Sequence, residues 1–167
     1  EANMAMHDCD VMLCVGARFD DRITGNLKYF SPNSKKIHID IDPSSINKNV
    51  KVDLAVIGDC YYILNMLMKE LKASKSKIDK NSIDKWWKTI DKWKRKDCLS
   101  FIDSEKSIKP QRALQELNKA LKGQDAYITT EVGQHQMWAA QYLDFNKPNR
   151  WMTSGGLGTM GYGFPAA

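Results

Sequence analysis

The ten positions from Ser154 to Gly163, Ser-Gly-Gly-Leu-Gly-Thr-Met-Gly-Tyr-Gly, hold five glycines. Ordering so many glycines costs conformational entropy, which is recovered when the backbone itself meets a ligand. Peptide groups near Gly158 and Met160 can hydrogen-bond a heteroaromatic ring, with the adaptable Met160 thioether filling the space beneath it. A flexible surface loop would share this composition, so the run gains meaning from what precedes it. Upstream lies Glu131-Val-Gly-Gln-His-Gln-Met137, where a strand exit passes into a helix whose first amides suit an anion such as a diphosphate. Gln134 and His135 add polar side chains there. A metal site at His135 does not fit, because His7 and His38 are not spaced to join it.

Two further constellations stand in the first third of the chain. Gly16-Ala-Arg-Phe-Asp-Asp-Arg22 packs Arg18, Asp20, Asp21 and Arg22 into five positions. An arginine fork binds phosphate, and a carboxylate can orient that arginine or accept a ribose hydroxyl. Continued strand geometry would put Arg18, Asp20 and Arg22 on one side, and a surface ion-pair cluster reads equally well. Asp40-Ile-Asp42 follows at the end of the next strand, where a dinucleotide fold holds the adenosine ribose. The GxGxxG fingerprint is absent after Gly16, which excludes an ordinary NAD site. Asp42, just before Pro43, reads as a helix N-cap, and Asp59 as either an N-cap or a ligand contact. No Ser/His/Asp triad and no general acid/base pair stands out.

The elements that must position these residues alternate between strand and helix. The pattern predicts strands at 10–16, 36–42 and 54–58, the first preceded by the end of a helix over 2–8. A helix over 60–72 carries Ile63, Leu64, Leu67, Met68 and Leu71 as one apolar stripe. The polar stretch 72–81 reads as a linker. The 82–99 segment then sets Ile83, Trp86, Trp87, Ile90 and Trp93 at helical spacing, which favours packing against a neighbouring domain over base stacking. Pro110 opens a helix ending near Gly123, with Leu114, Leu117, Ala120 and Leu121 as its buried face. Strands at 126–130 and 151–153 flank a helix over 136–142. Such alternation implies an α/β fold, with parallel sheets and crossover helices in three-layer domains. Ligands of these sheets bind at the carboxyl ends of the strands, so Gly16 to Arg22, Asp40 to Asp42 and Gly58 to Asp59 should meet at one edge.

The bulk composition excludes little. Hydrophobic content of 43% and charged content of 27% suit an ordinary globular chain. The net charge of +5 comes mostly from lysines between Lys69 and Lys106, interspersed with acids as on a solvated helical face, so nucleic acid is not expected as a partner. No apolar run approaches the roughly 20 residues that cross a bilayer. The four cysteines show no CxxC spacing and read as free thiols in a reducing compartment. The chain starts at Glu1 and stops where a helix begins, so it reads as an internal piece of a longer polypeptide.

Gly16-Ala-Arg-Phe-Asp-Asp-Arg22, His38-Ile-Asp-Ile-Asp42, Val132-Gly-Gln-His-Gln-Met-Trp138 and the Ser154 to Gly163 run, in that order, resemble the acetolactate synthase (acetohydroxyacid synthase) family of thiamine diphosphate enzymes. The likeness covers nearly the whole chain, with little of it carried by 69–106. It implies a parent of three α/β domains. Residues 1–73 would be the latter part of its central FAD-binding domain, 74–108 a linker and helical connection, and 109–167 the start of its C-terminal thiamine diphosphate-binding domain.

By the same resemblance, Gly16, Ala17, Arg18, Phe19, Asp20, Arg22, Asp40, Ile41, Asp59, Cys60 and Gly155 would line FAD. Val132, Gly133, Gln134, His135, Gly158, Thr159 and Met160 would hold thiamine diphosphate, and Asp21 and Arg22 would face the substrate channel. The implied activity is a transferase reaction. Pyruvate is decarboxylated on thiamine diphosphate, and the hydroxyethyl carbanion condenses with pyruvate or 2-oxobutyrate in isoleucine, valine and leucine biosynthesis. FAD takes no net redox part. The motif anchoring Mg²⁺ is expected after Ala167, and the catalytic glutamate in an N-terminal domain contributed by a partner subunit. No catalytic or metal residue is therefore expected within this chain, which alone should be inactive. The resemblance further implies a homodimer or tetramer, with or without a regulatory small subunit, and a cytoplasmic location in a bacterium or a plastid or mitochondrial one in a eukaryote. A pyruvate oxidase or glyoxylate carboligase is the neighbouring alternative. A non-catalytic nucleotide-binding module is another, although it has no use for the glycine run.

Overall fold

The computed structural model describes residues 1–74 and 79–167; the centre of the expected linker, 75–78, lies outside the described residues. The chain divides into two compact units, Glu1–Cys98 and Leu99–Ala167.

In the first unit, α1 (Ala2–Asp8) leads into β1 (Val11–Val15), which joins β2 (Lys35–Asp40) and β3 (Leu54–Ile57) in a parallel sheet of order β1-β2-β3. Leu13 pairs with Ile37, and Ile37 with Leu54, so β2 is central. It is also the core: His38, Ile39 and Asp40 are buried together with Phe19 and Val50. A parallel central strand covered on both faces reads as this kind of buried run. Lys36 is buried as well, because its ammonium donates to the carbonyls of Ser31 at 2.8 Å and Ser34 at 3.2 Å.

The strand connections are not the full crossover helices expected. Between β1 and β2 the chain makes only α2 (Asp21–Thr24) and a 3-10 turn, Leu27–Tyr29; between β2 and β3 it makes a 3-10 turn, Pro43–Ser45. The residues explain this. Gly25 ends α2, Asn26 caps the next turn through its side chain, and Ser31-Pro32 stops any continuation.

Helix α3 (Cys60–Ala73) forms where its spacing predicts, yet none of its residues is buried, and Met68 and Leu71 are 52% and 59% exposed. Helix α4 (Lys80–Lys94) starts two residues before the expected Ser82, because Asp79 caps it by accepting from the amides of Asn81 and Ser82. It stops short of Leu99, giving way to tight turns in which Asp97 takes a φ of 45°. Trp93 is buried and meets Trp86 edge-on at 5.7 Å, a contact between two residues of the same helix, whereas Trp87 on that stripe is 54% exposed.

The second unit holds α5 (Pro110–Ala120), β4 (Ile128–Thr129), α6 (Gln134–Tyr142) and β5 (Trp151–Met152). β4 and β5 run parallel, with Ile128 beside Trp151, and each is shorter than expected. Leu114 on α5 and Leu121 at its carboxyl-terminal cap are half-buried and Leu117 is 43% exposed, a shallower face than the pattern implies. The side chain of Asn118 exchanges hydrogen bonds with the amide and carboxylate of Asp144, both at 2.9 Å. Trp151 stacks on Phe145 at 5.0 Å and donates its indole N–H to Thr130 Oγ1. Among the described residues, no helix is long and apolar enough to cross a membrane.

Candidate functional site

The three strand exits of the first unit do converge. The Gly16 amide donates to the Ile39 carbonyl at 2.8 Å, and the Gly58 amide to the Asp40 carbonyl at 2.9 Å. Gly16, with a φ of 61°, leaves room where a Cβ would sit 3.5 Å from the Cys60 thiol. Cys60 thus borders the Gly16 turn from the start of α3. Its neighbour Asp59 accepts from the amides of Tyr61 and Tyr62, which makes it a working N-cap. Asp42 likewise caps the Pro43–Ser45 turn through Ser44.

The charged cluster after β1 is ordered differently from an extended strand. The strand ends at Val15, and Asp20 becomes the N-cap of α2, accepting from the Arg22 amide at 3.1 Å and pairing with Arg18 at 2.5 Å. The Arg22 amide, then its neighbours Asp21 and Arg18, hold the Asp20 carboxyl below the usual range. Arg18, Asp21 and Arg22 are exposed.

Phe19 behaves unlike the residues around it. Its ring is buried, edge-on to His38 at 5.1 Å and to Phe30 at 6.0 Å, while its carbonyl accepts from Asn49 at 2.9 Å. It thereby pins the Ala17 to Asp20 turn onto the sheet. Asp40 is buried, accepts from the Asp42 amide at 2.8 Å, and lies 3.5 Å from His38 Nε2, whereas Ile41 beside it is 67% exposed. The Cys14 thiol donates to the Ala17 carbonyl at 2.8 Å. Burial pushes that thiol up, the Ala17 contact opposes the shift, and the Asp40 charge adds to it. All four cysteines are free.

The second unit brings its two loops to the carboxyl end of the β4–β5 pair. Gly133, with φ 156° and ψ −173°, takes a conformation open almost only to glycine and turns the chain from β4 into α6. Among the described residues, no side chain caps the start of α6, so its first amides keep their donor capacity. Val132, Gly133, Gln134 and His135 are all exposed there. The glycine run leaves β5 through a 3-10 turn, Gly155–Leu157. It exposes Gly158, Thr159 and Met160, with Met160 79% exposed. Gly155 belongs to this second unit, whereas the other residues expected around the flavin belong to the first.

One residue that sequence reasoning left without a role joins the loops. Glu131 Oε2 accepts from the amides of Gly161 at 2.5 Å and Tyr162 at 3.1 Å, and Oε1 from Gly163 at 2.6 Å and Phe164 at 3.3 Å. Desolvation raises the Glu131 carboxyl, but the four donated amides outweigh it and leave the group below its ordinary value. Gly163 then lies directly against the Thr130–Glu131 backbone. The available signal was a lone carboxylate at a strand exit, with no basic residue nearby in sequence to satisfy it. Among the described residues, no cluster of three or more His, Cys, Asp or Glu could hold a metal ion.

Comparison with known proteins matches these two regions separately. The family model described as "Thiamine pyrophosphate enzyme, central domain" matches residues 1–67, and "Thiamine pyrophosphate enzyme, C-terminal TPP binding domain" matches 131–167. The chain is 47% identical over its whole length to the acetolactate synthase isozyme 3 large subunit of Escherichia coli (strain K12). It is 49% identical, again over its whole length, to the acetolactate synthase large subunit of Buchnera aphidicola subsp. Schizaphis graminum (strain Sg). The large subunit from Haemophilus influenzae is 47% identical and also covers the whole chain. The chain spans only 28–29% of the length of these relatives.

Proposed function

From a chain that belongs to the thiamine pyrophosphate enzyme family, we propose that it forms part of the catalytic subunit of an acetolactate synthase. The parent would decarboxylate pyruvate and join the two-carbon unit to pyruvate or 2-oxobutyrate, as a step in making isoleucine, valine and leucine. The observation that carries this reading is the uncapped start of α6 set beside the glycine run, at the carboxyl end of a parallel strand pair. That arrangement suits a diphosphate attached to a ring system.

The residues fit thiamine diphosphate. Free amides at the start of α6, with Gln134 and His135 alongside, supply donors of the right sign for a diphosphate. Gly133 keeps a Cβ out of that approach, where it would crowd the His135 ring at 3.1 Å. Val132 borders this turn on one side. Gly158, Thr159 and Met160 present backbone groups and one thioether to a heteroaromatic ring. When bound, the coenzyme supplies the carbanion-stabilising chemistry that 2-oxo acid decarboxylation needs. The chain's own part is to grip the diphosphate end and support the ring end.

FAD fits the first unit's strand exits. Gly16, Ala17, Cys60 and the exposed Ile41 would form the floor of its site, with Arg18 offering a guanidinium for phosphate and the buried Asp40 at the same strand exits. Asp20, Phe19 and Asp59 support this floor from the backbone side. Asp21 and Arg22, at the outer edge of α2, would meet the 2-oxo acid, with Arg22 pairing its carboxylate. Mg²⁺ would take its protein ligands from elsewhere in the parent. We assign 1–73 to the flavin domain, 74–108 to a connection and 109–167 to the coenzyme domain. The parent would act as a homodimer or tetramer, with or without a regulatory small subunit, in the cytoplasm, plastid or mitochondrion.

The test is to incubate the full-length parent with pyruvate under anaerobic conditions and assay acetolactate. Formation that requires added thiamine diphosphate supports the proposal. Turnover only with an external electron acceptor, or none with pyruvate, defeats it in favour of an oxidase or a different carboligase.

A further inference from the structure

Among the described residues, the hydrogen bonds that join the loop carrying 133–135 to the loop carrying 158–160 run through Glu131. Four successive amides converging on one carboxylate form a nest, a geometry that ordinarily receives an anionic ligand. Here the anion is built into the chain, two residues before Gly133. A second observation agrees with the first. Gly163 presses against the backbone at the same point, where a Cβ would lie 2.7 Å from the Thr130 carbonyl carbon and 2.8 Å from the Glu131 nitrogen. The 158–160 stretch is exposed, with Leu157 at 88%, Met160 at 79% and nothing within 4 Å of a Cβ on Gly158. On its amino-terminal side it is tied by local turn bonds, the Gly155 amide to Thr153 Oγ1 at 2.9 Å and the Gly158 amide to the Gly155 carbonyl at 3.2 Å. Its tie to the distant β4 exit therefore lies on its carboxyl-terminal side, in the turn that Glu131 holds.

We infer that Glu131 is a positioning residue: by binding the Gly161 to Phe164 amides, it sets the 158–160 peptide at a fixed distance from the α6 amides before any coenzyme arrives. This inference rests on the thiamine diphosphate reading above. The ring end and the diphosphate end of the coenzyme then meet two loops already in register, and less ordering remains to be done on binding. Loss of the carboxylate leaves the loops individually intact and their separation unset.

The experiment uses the full-length parent with Glu131→Gln and Glu131→Asp. Glutamine presents an amide N–H₂ to amide donors, and aspartate is one methylene too short to span all four. In the coenzyme-free protein, hydrogen exchange at 161–164 should quicken about tenfold or more in both variants, while exchange in 1–98 and FAD binding stay as in wild type. The half-saturating thiamine diphosphate concentration should rise about tenfold, with kcat at saturation within about threefold of wild type, because the residue never touches the reacting atoms. Unchanged exchange shows that Glu131 does not hold the turn. Quickened exchange with unaltered coenzyme affinity reduces it to a stabilising contact. Either result overturns the inference, as does a kcat loss without a change in affinity. If the glutamine variant fails to fold, the aspartate variant is read by the same criteria. A wild-type parent that takes up no thiamine diphosphate defeats the functional reading and the coenzyme side of this one; the exchange measurement still decides whether Glu131 holds the turn.

Discussion

Gly163 lies so close to Thr130 that a Cβ on it would fall 2.7 Å from the Thr130 carbonyl carbon. The contact is backbone on backbone, so no side chain can move aside to relieve it. Gly163→Ala should therefore destabilise the second unit by about 1–3 kcal/mol, the usual cost of overpacking. Urea unfolding followed by the fluorescence of Trp151, which stacks on Phe145 in that unit, measures it. A variant as stable as wild type would mean that the glycine run can sit elsewhere.

Met160 gives the opposite expectation. At 79% exposure it contributes little packing, so Met160→Ala should leave stability within about 0.5 kcal/mol of wild type. If it supports the coenzyme ring, the same variant of the parent should bind thiamine diphosphate about tenfold more weakly, since burying a methionine is worth roughly 1.5–3 kcal/mol. Titration calorimetry on the parent checks this.

Asp59 separates capping from ligand contact. Asp59→Ala removes the acceptor for the Tyr61 and Tyr62 amides and should cost about 1 kcal/mol; Asp59→Asn, itself a good cap, should restore most of it. Thermal unfolding of the two variants decides the matter. Equal losses in both would point to the charge and its ligand rather than the cap.

The fold was legible in the residues where local chemistry decides it. The apolar run at β1, the alternating isoleucines of β2 and the Asp59 and Asp42 caps all lie within a few residues of their causes. Two kinds of feature were not. The α3 stripe predicts burial, but Met68 and Leu71 remain exposed, and no periodicity says which surface meets such a stripe. The Glu131 contacts join residues 30 or more positions apart, and no periodicity or spacing rule links a single carboxylate to a distant turn. The charged cluster Arg18 to Arg22 was visible as a cluster, yet its geometry depended on Asp20 capping α2, which ends the strand alternation early.

Acid should act on Glu131 in a defined direction. Its folded value lies below the ordinary 4.5, so the unfolded chain takes up a proton first as pH falls. The stabilisation is complete above about pH 4.5 and declines as pH drops from there through the lowered folded value. Protection of the 161–164 amides, followed by hydrogen exchange across that range, should fall with it, and in Glu131→Gln this pH dependence should vanish. Protection that declines on raising the pH from 5 to 8, after correction for the intrinsic exchange rate, would contradict the assignment.

A structure of the full-length parent with thiamine diphosphate bound tests the central claim most directly. The account predicts the diphosphate at the amides and side chains of Gln134 and His135, and the ring against the Gly158 to Met160 peptide, with Glu131 still holding the Gly161 to Phe164 turn. A coenzyme bound elsewhere, or 133–135 and 158–160 facing different cavities, would contradict it.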